Sequence, residues 1–295
     1  MVATLRMTDD MGREVLFGAV PKRVVSLVPS DTLTLFDLGL GAAVVGRTDY
    51  CELPAEASRL PSVGGTKNPR LDAIFDLEPD LVIANQEENT KSDLEAIAQR
   101  GFRVWVAFPK RVAEGLAHMA RLARIFRVEH DAGPRDLVKR GYAALREAEA
   151  AQAGRAPVPT FCPIWMKPLM TIHGDTYISD ALALAGARNV FADRERRYPL
   201  AADLRGAEPA PAEGRDTRYP RVTEAEVVAR APEIVLLADE PHPFSDEDAA
   251  VFRALDVPAA KRGAVVRCSG KDLCWYGSRA VEGLARVRAL VDGLR

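Results

Sequence analysis

The amino-acid sequence predicts an α/β protein built as two halves with parallel sheets, joined by one long helix. Three observations carry this. Short apolar runs alternate with longer segments of helical period, the pattern of strands separated by crossover helices. The alternation stops once, over residues 136–153, where Ala, Arg and Glu dominate and no strand signal occurs. A phrase also occurs twice. Asp72-Ala-Ile-Phe-Asp-Leu-Glu-Pro-Asp-Leu-Val-Ile-Ala in the first half matches Glu226-Val-Val-Ala-Arg-Ala-Pro-Glu-Ile-Val-Leu-Leu-Ala in the second, each a helix, a Pro-acidic turn and a buried strand. The expected division is an N-terminal lobe at 1–126, an interlobe helix at 127–154 and a C-terminal lobe at 155–295.

Each element has a local reason. Arg23-Val-Val-Ser-Leu-Val is a continuous apolar run and reads as a buried strand. Residues 32–40 place Leu33, Phe36 and Leu40 on one helical face, with Gly39 and Gly41 near the stop. Ala43-Val-Val-Gly is the next strand. A helix beginning at 68 ends before Glu78-Pro79, because proline disfavours the helical conformation in the residue before it. Strands at 80–84 and 102–106 flank a helix at 92–100 that Gly101 closes. Residues 112–126 repeat apolar side chains at Leu116, Met119, Ala120, Leu122 and Ala123. After Gly154 and Pro157 the pattern resumes, with strands at 158–162, 233–237 and 264–268 and helices at 178–185, 222–229 and 280–294. Residues 205–218, with Gly206, Pro209, Pro211 and Gly214, read as an exposed inserted loop.

The chain has 295 residues, with 40 Lys plus Arg against 42 Asp plus Glu, a net charge of −2. That balance excludes a general nucleic-acid binder, which needs a basic excess to displace counterions. No apolar run reaches the roughly 18 residues that a membrane span requires. A secretory signal needs an unbroken apolar stretch, and Arg6, Asp9 and Asp10 interrupt before one forms. The expectation is therefore either an intracellular protein or a mature start led by Met1.

None of the four cysteines forms a Cys-x-x-Cys pair. Cys162 and Cys268 sit in apolar runs and are expected to be buried thiols. Nucleotide motifs fail: Gly39-Leu-Gly41 runs from helix to strand, the reverse of a dinucleotide fingerprint, and Gly64-Gly-Thr-Lys67 lacks P-loop spacing. Neither His-Glu-x-x-His nor Gly-x-Ser-x-Gly occurs. His118 is expected on a helix surface and His130 on the interlobe helix.

Polar and aromatic residues gather just after strands. In the first half they are Tyr50 and Cys51; Thr66, Lys67 and Asn68; and Gln86, Glu87 and Glu88. In the second half they are Trp165 and Met166, Glu240 and His242, and Lys271, Asp272, Trp275 and Tyr276. Ligands of open parallel sheets bind at the carboxyl ends of strands, so these loops are expected to face one crevice. Tyr198 or Tyr219, each in an Arg-Tyr-Pro copy, joins them. Broad aromatic faces with a few polar groups suit a bulky planar or macrocyclic ligand. Trp105, inside a strand, is expected in the core.

A resemblance adds to this reading. Thr8-Asp-Asp-Met-Gly-Arg-Glu-Val, Pro21-Lys-Arg-Val-Val-Ser-Leu-Val-Pro-Ser, the phrase at 71–83 and Asp175-Thr-Tyr-Ile-Ser-Asp-Ala-Leu-Ala-Leu-Ala-Gly-Ala-Arg-Asn-Val-Phe resemble the substrate-binding proteins of vitamin B12 and iron-siderophore ABC importers. The cobalamin-binding branch is the nearest. The resemblance implies two Rossmann-like lobes on one rigid helix, a ligand held between them, no catalysis and no intrinsic cofactor. It implies periplasmic or cell-surface placement and a monomer that docks on an ABC permease through one acid per lobe: Asp72 on the first, Glu224 or Glu226 on the second. Tyr50 matches an aromatic that contacts the corrin. Where those proteins carry tryptophans, this chain has Thr66-Lys-Asn and Asn85-Gln-Glu-Glu. The ligand is accordingly a cobalamin or other corrinoid, another metal chelate such as haem or a ferric siderophore, or a metal ion held by Glu87, Glu88, Glu240, His242 and Cys51. Two alternatives use the same fold: an intracellular corrinoid- or metal-handling protein or enzyme, and a metallocluster scaffold, for which the four cysteines are poorly spaced.

Overall fold

The structure is a computed structural model that describes residues 4–295. It is α/β, as expected, with two parallel four-stranded sheets. By contact the chain divides into unit 1, Met1–Ala143 with Trp275–Val281, and unit 2, Ala144–Cys274 with Glu282–Arg295.

Unit 1 opens with an antiparallel hairpin, β1 (Leu5–Thr8) and β2 (Glu14–Phe17). Its turn is closed by Asp9, whose Oδ1 accepts from the backbone N–H groups of Met11 and Arg13. Strand β3 (Val24–Ser26) leads into helix α1 (Pro29–Asp37), which has Pro at its first turn where the missing N–H costs nothing. Then follow β4 (Val44–Arg47), α2 (Leu71–Asp76), β5 (Leu81–Asn85), α3 (Lys91–Gln99), β6 (Val104–Ala107) and α4 (Val112–Ile125). The sheet order is β4-β3-β5-β6, all parallel. Every residue of β5 and β6 is buried. That explains why both read as unbroken apolar runs: helices cover both faces of the sheet. Val82 and Ala84 pack with Leu27, Ile74, Leu94 and Ile97 on one side. Trp105, fully buried as expected, packs with Phe17 at 6.2 Å.

Helix α5 (Ala132–Gln152) carries the chain from unit 1 into unit 2. Unit 2 contains β7 (Val158–Phe161), the short hairpin β8 (Trp165–Met166) and β9 (Leu169–Met170), α6 (Tyr177–Leu184), β10 (Ala187–Asn189), α7 (Leu200–Leu204), α8 (Glu224–Arg230) and β11 (Ile234–Ala238). It continues with α9 (Asp246–Arg253), α10 (Pro258–Lys261), β12 (Val265–Cys268), α11 (Gly270–Cys274) and α12 (Ala280–Gly293), the last beginning in unit 1. The order β10-β7-β11-β12 is again parallel throughout. Strand β11 alternates between two cores: Ile234, Leu236 and Ala238 in one, Val235 and Leu237 in the other.

Three expectations are corrected. His118 is not on a helix surface: it is fully buried, because α4 turns it toward α1, where Asp31 receives it. His130 lies in the exposed turn before α5, not on that helix. Cys268 is only partly buried at the end of β12.

Candidate functional site

All strands of a sheet run parallel, so their carboxyl ends share one edge. In unit 1 that edge carries the turns after Arg47 and Asn85 and the loop at 64–68. Tyr50 is 61% exposed, the most exposed of the large apolar side chains described. A Cβ on Gly65 would stand 2.4 Å from Asn68 Oδ1 and 3.7 Å from the Tyr50 ring, so glycine lets the 64–68 loop pass close beside Tyr50. Asn68 itself is exposed. The next loop is tied on: Lys67 Nζ donates to the Glu87 carbonyl, and Asn89 Nδ2 donates to the Thr66 carbonyl at 2.9 Å. Thr66 is buried while Gln86 and Glu88 are exposed. Unit 1 therefore brings Tyr50, Thr66, Lys67, Asn68, Gln86, Glu87 and Glu88 into one loop cluster.

Three predicted residues are buried instead. Cys51 is fully buried, with Thr32 Oγ1 at 3.1 Å and Thr48 Oγ1 at 3.2 Å from its sulfur. Burial pushes the thiol up, against the opposing hydrogen bonds from both threonines. Tyr276 is only 5% exposed, and Trp275 is buried beside it. The Tyr276 hydroxyl donates to Asp31 Oδ2 at 2.8 Å and accepts from Asn85 Nδ2 at 3.2 Å. Burial, and next the Asp31 charge, hold that phenol well above its ordinary value.

In unit 2, Trp165 stands at the start of the β8 hairpin, 43% exposed, its indole N–H donating to the Lys167 carbonyl at 3.2 Å. Its ring meets the edge of His242 at 5.4 Å, and His242 meets Phe244 at 4.6 Å. His242 Nε2 lies 3.0 Å from Asp248 Oδ2. Met166 packs into the adjoining core. Glu240 accepts from Lys271 Nζ at 3.5 Å and from Cys274 Sγ at 3.4 Å. Asp272 accepts from Nε and Nη2 of Arg286, each at 2.8 Å. Tyr198 lies under three guanidinium groups, those of Arg215 at 4.1 Å, Arg196 at 4.9 Å and Arg221 at 5.8 Å from the ring centre. Tyr219 packs against the apolar core around Ile164 and Leu236.

Of the acids expected to dock, Asp72 and Glu224 are exposed in the first turns of α2 and α8. Glu226 is engaged: Oε1 accepts from Arg194 Nε at 3.1 Å and Oε2 from the Thr223 backbone N–H at 2.9 Å. Among the described residues, no three His, Cys, Asp or Glu side chains gather as a metal site. Asp31, His118 and the arginines around Tyr198 were not anticipated. Asp31 had one local signal, an acid in the first turn of a helix that directly follows a strand.

Residues 24–269 match the family model described as periplasmic binding protein. The vitamin B12-binding protein of Photorhabdus laumondii is 28% identical over 224 residues, 75% of this chain and 72% of that one. The periplasmic vitamin B12 binding protein of Vibrio cholerae has a similar fold, with a TM-score of 0.75 at 20% identity over 93% of this chain and 98% of that one. So has a periplasmic haem-binding protein of Roseiflexus, with a TM-score of 0.74 at 19% identity over 93% and 99%. Among the described residues no helix is long and apolar enough to cross a membrane.

Proposed function

The chain belongs to the periplasmic binding protein family, and from that premise we propose that it is a non-catalytic receptor for a metal-bearing chelate, a corrinoid first, which it delivers to an ABC importer. The observation that carries this reading is the pair of exposed aromatic rings at sheet carboxyl ends, Tyr50 in unit 1 and Trp165 in unit 2. A water-facing tryptophan in a hairpin flanked by Pro163 and Pro168 supplies flat apolar area at low entropic cost, which suits a macrocycle. Thr66, Lys67, Asn68, Gln86, Glu87 and Glu88 in unit 1, with Glu240, His242 and Lys271 in unit 2, would add polar orientation, while Met166 supports the Trp165 hairpin from the core. The placement that goes with this function is periplasmic or cell-surface, and the working state a monomer.

Titration of the purified protein with cyanocobalamin, cobinamide, haem and a ferric siderophore, read by tryptophan fluorescence and ligand absorption, tests the proposal. Saturable 1:1 binding of cobalamin or cobinamide is expected; no response to any of the four overturns it. One observation favours a second ligand class. The three guanidinium groups around Tyr198 suit an acidic chelate such as haem or a carboxylate siderophore, and selective binding of those two would favour it.

Docking on the permease would use Asp72 and Glu224, both exposed at helix starts, and not Glu226, whose carboxylate is held by Arg194 and Thr223.

A further inference from the structure

Four hydrogen bonds in unit 1 run in one direction. The Glu87 backbone N–H donates to Asn85 Oδ1 at 2.7 Å. Asn85 Nδ2 donates to the Tyr276 hydroxyl at 3.2 Å. That hydroxyl donates to Asp31 Oδ2 at 2.8 Å. On the other oxygen, Asp31 Oδ1 lies 2.7 Å from His118 Nε2. His118 Nδ1 has no hydrogen-bond partner among the described residues, so the tautomer with its proton on Nε2 leaves no buried donor unmet. Every donor then points toward one carboxylate, which accepts only. Asp31, His118, Asn85 and Tyr276 are 0–5% exposed, and in such surroundings successive hydrogen bonds polarise one another.

The direction has a consequence at the surface. Because Asp31 takes the phenol proton, the Tyr276 oxygen is left as an acceptor toward Asn85. The Asn85 amide is thereby fixed with Oδ1 toward Glu87. The Asn85 backbone N–H is held in turn by Asn89 Oδ1 at 2.9 Å, and Asn89 Nδ2 holds the Thr66 carbonyl. We propose that Tyr276 and Asp31 are positioning residues that set the loop at 86–90 and, through Asn89, the loop at 64–68. Tyr276 thus acts from beneath the binding loops and not as an aromatic wall. The relay itself stands on geometry alone; its bearing on affinity rests on the receptor reading above.

The test compares amide hydrogen exchange of the unliganded wild type with that of Tyr276→Phe and Asp31→Asn. Tyr276→Phe keeps the ring and removes the relay's middle oxygen. Exchange is expected to quicken on the order of tenfold at 86–90, with the amides of 81–84 and of β6 unchanged. Asp31→Asn, which offers an N–H where only an acceptor fits, is expected to do at least as much. Ile97→Val, a core change in the same unit, serves as a control for general loosening. Unchanged exchange at 86–90 in both variants, or quickening spread evenly through unit 1 as in the control, overturns the proposal. With whichever of cyanocobalamin or haem binds the wild type, Tyr276→Phe is expected to weaken affinity several-fold. If none of the four chelates binds the wild type, the receptor reading fails while the exchange result still decides the relay.

Discussion

Gly277 illustrates how one residue can fix a chain path. It has φ +75°, and an added Cβ would stand 2.3 Å from Thr34 Oγ1. The next residue confirms the close approach: the Ser278 backbone N–H donates to Thr34 Oγ1 at 3.1 Å. Gly277→Ala combines left-handed backbone strain with a buried clash, and is expected to cost about 2–4 kcal/mol; denaturant unfolding measures it, and a loss under 1 kcal/mol contradicts the account. The cysteines give a second residue-scale prediction. Burial pushes Cys162 up to about 12 and raises Cys51 as well. Neither thiol should react with a disulfide reagent at pH 8 until the protein unfolds, whereas rapid labelling of Cys51 in the native state would show that it faces solvent. The exposed position of Tyr50 and Trp165 near strand ends was legible in sequence, because an aromatic soon after a strand lies at the sheet's carboxyl edge. The pairing of Asp31 with His118 and Tyr276 was not, because the partners lie 87 and 245 positions apart, and no local pattern encodes such a pairing.

At the scale of elements, the buried strands and long helices were legible and the small pieces were not. Strands β5, β6 and β11 are covered on both faces, so their apolar runs admit one reading. The hairpins β1–β2 and β8–β9 have strands of four and two residues, too short for a period to register, and the β1–β2 turn is closed by the Asp9 side chain. Helix α9 was missed although it has a strong start. Ser245 and Asp248 form a reciprocal cap in its first turn. The Ser245 backbone N–H, and next His242, hold the Asp248 carboxyl below its usual value. A depressed folded-state value means the stabilisation is complete above the unfolded value near 4 and disappears as pH falls through the lower, folded one. Melting temperatures measured from pH 6 to pH 3 should therefore show Asp248→Asn less stable than wild type at pH 6, with the gap closing toward pH 3. A constant gap would mean that the carboxylate charge contributes nothing to the cap.

For the whole molecule, the repeated helix-turn-strand phrase foretold two similar sheets, and the chain has them. What it could not foretell is that Trp275–Val281, far along the sequence, belongs with unit 1: that grouping arises from side-chain contacts such as Tyr276 with Asp31, not from periodicity. The same repetition frames the docking prediction. The repeated phrase aligns Asp72 with Glu226, but it is Glu224 that, like Asp72, is an exposed acid in the first turn of the helix preceding a central strand. A net charge of −2 gives little overall field, so the docking proposed above would have to rest on such localised charges meeting basic groups of the permease. It should weaken with salt, because exposed pairs are screened over roughly 8–10 Å. Asp72→Lys with Glu224→Lys is expected to leave chelate affinity unchanged while reducing stimulation of the reconstituted importer's ATPase at least tenfold, an effect of charge reversal typical of interface acids. Glu226→Gln separates docking from structure. Its carboxylate already serves Arg194 and Thr223, so that variant should lose stability in thermal unfolding yet stimulate the importer as wild type does. If Glu226→Gln abolished stimulation and the double reversal did not, the docking surface of unit 2 would have to be sought elsewhere than at the start of α8.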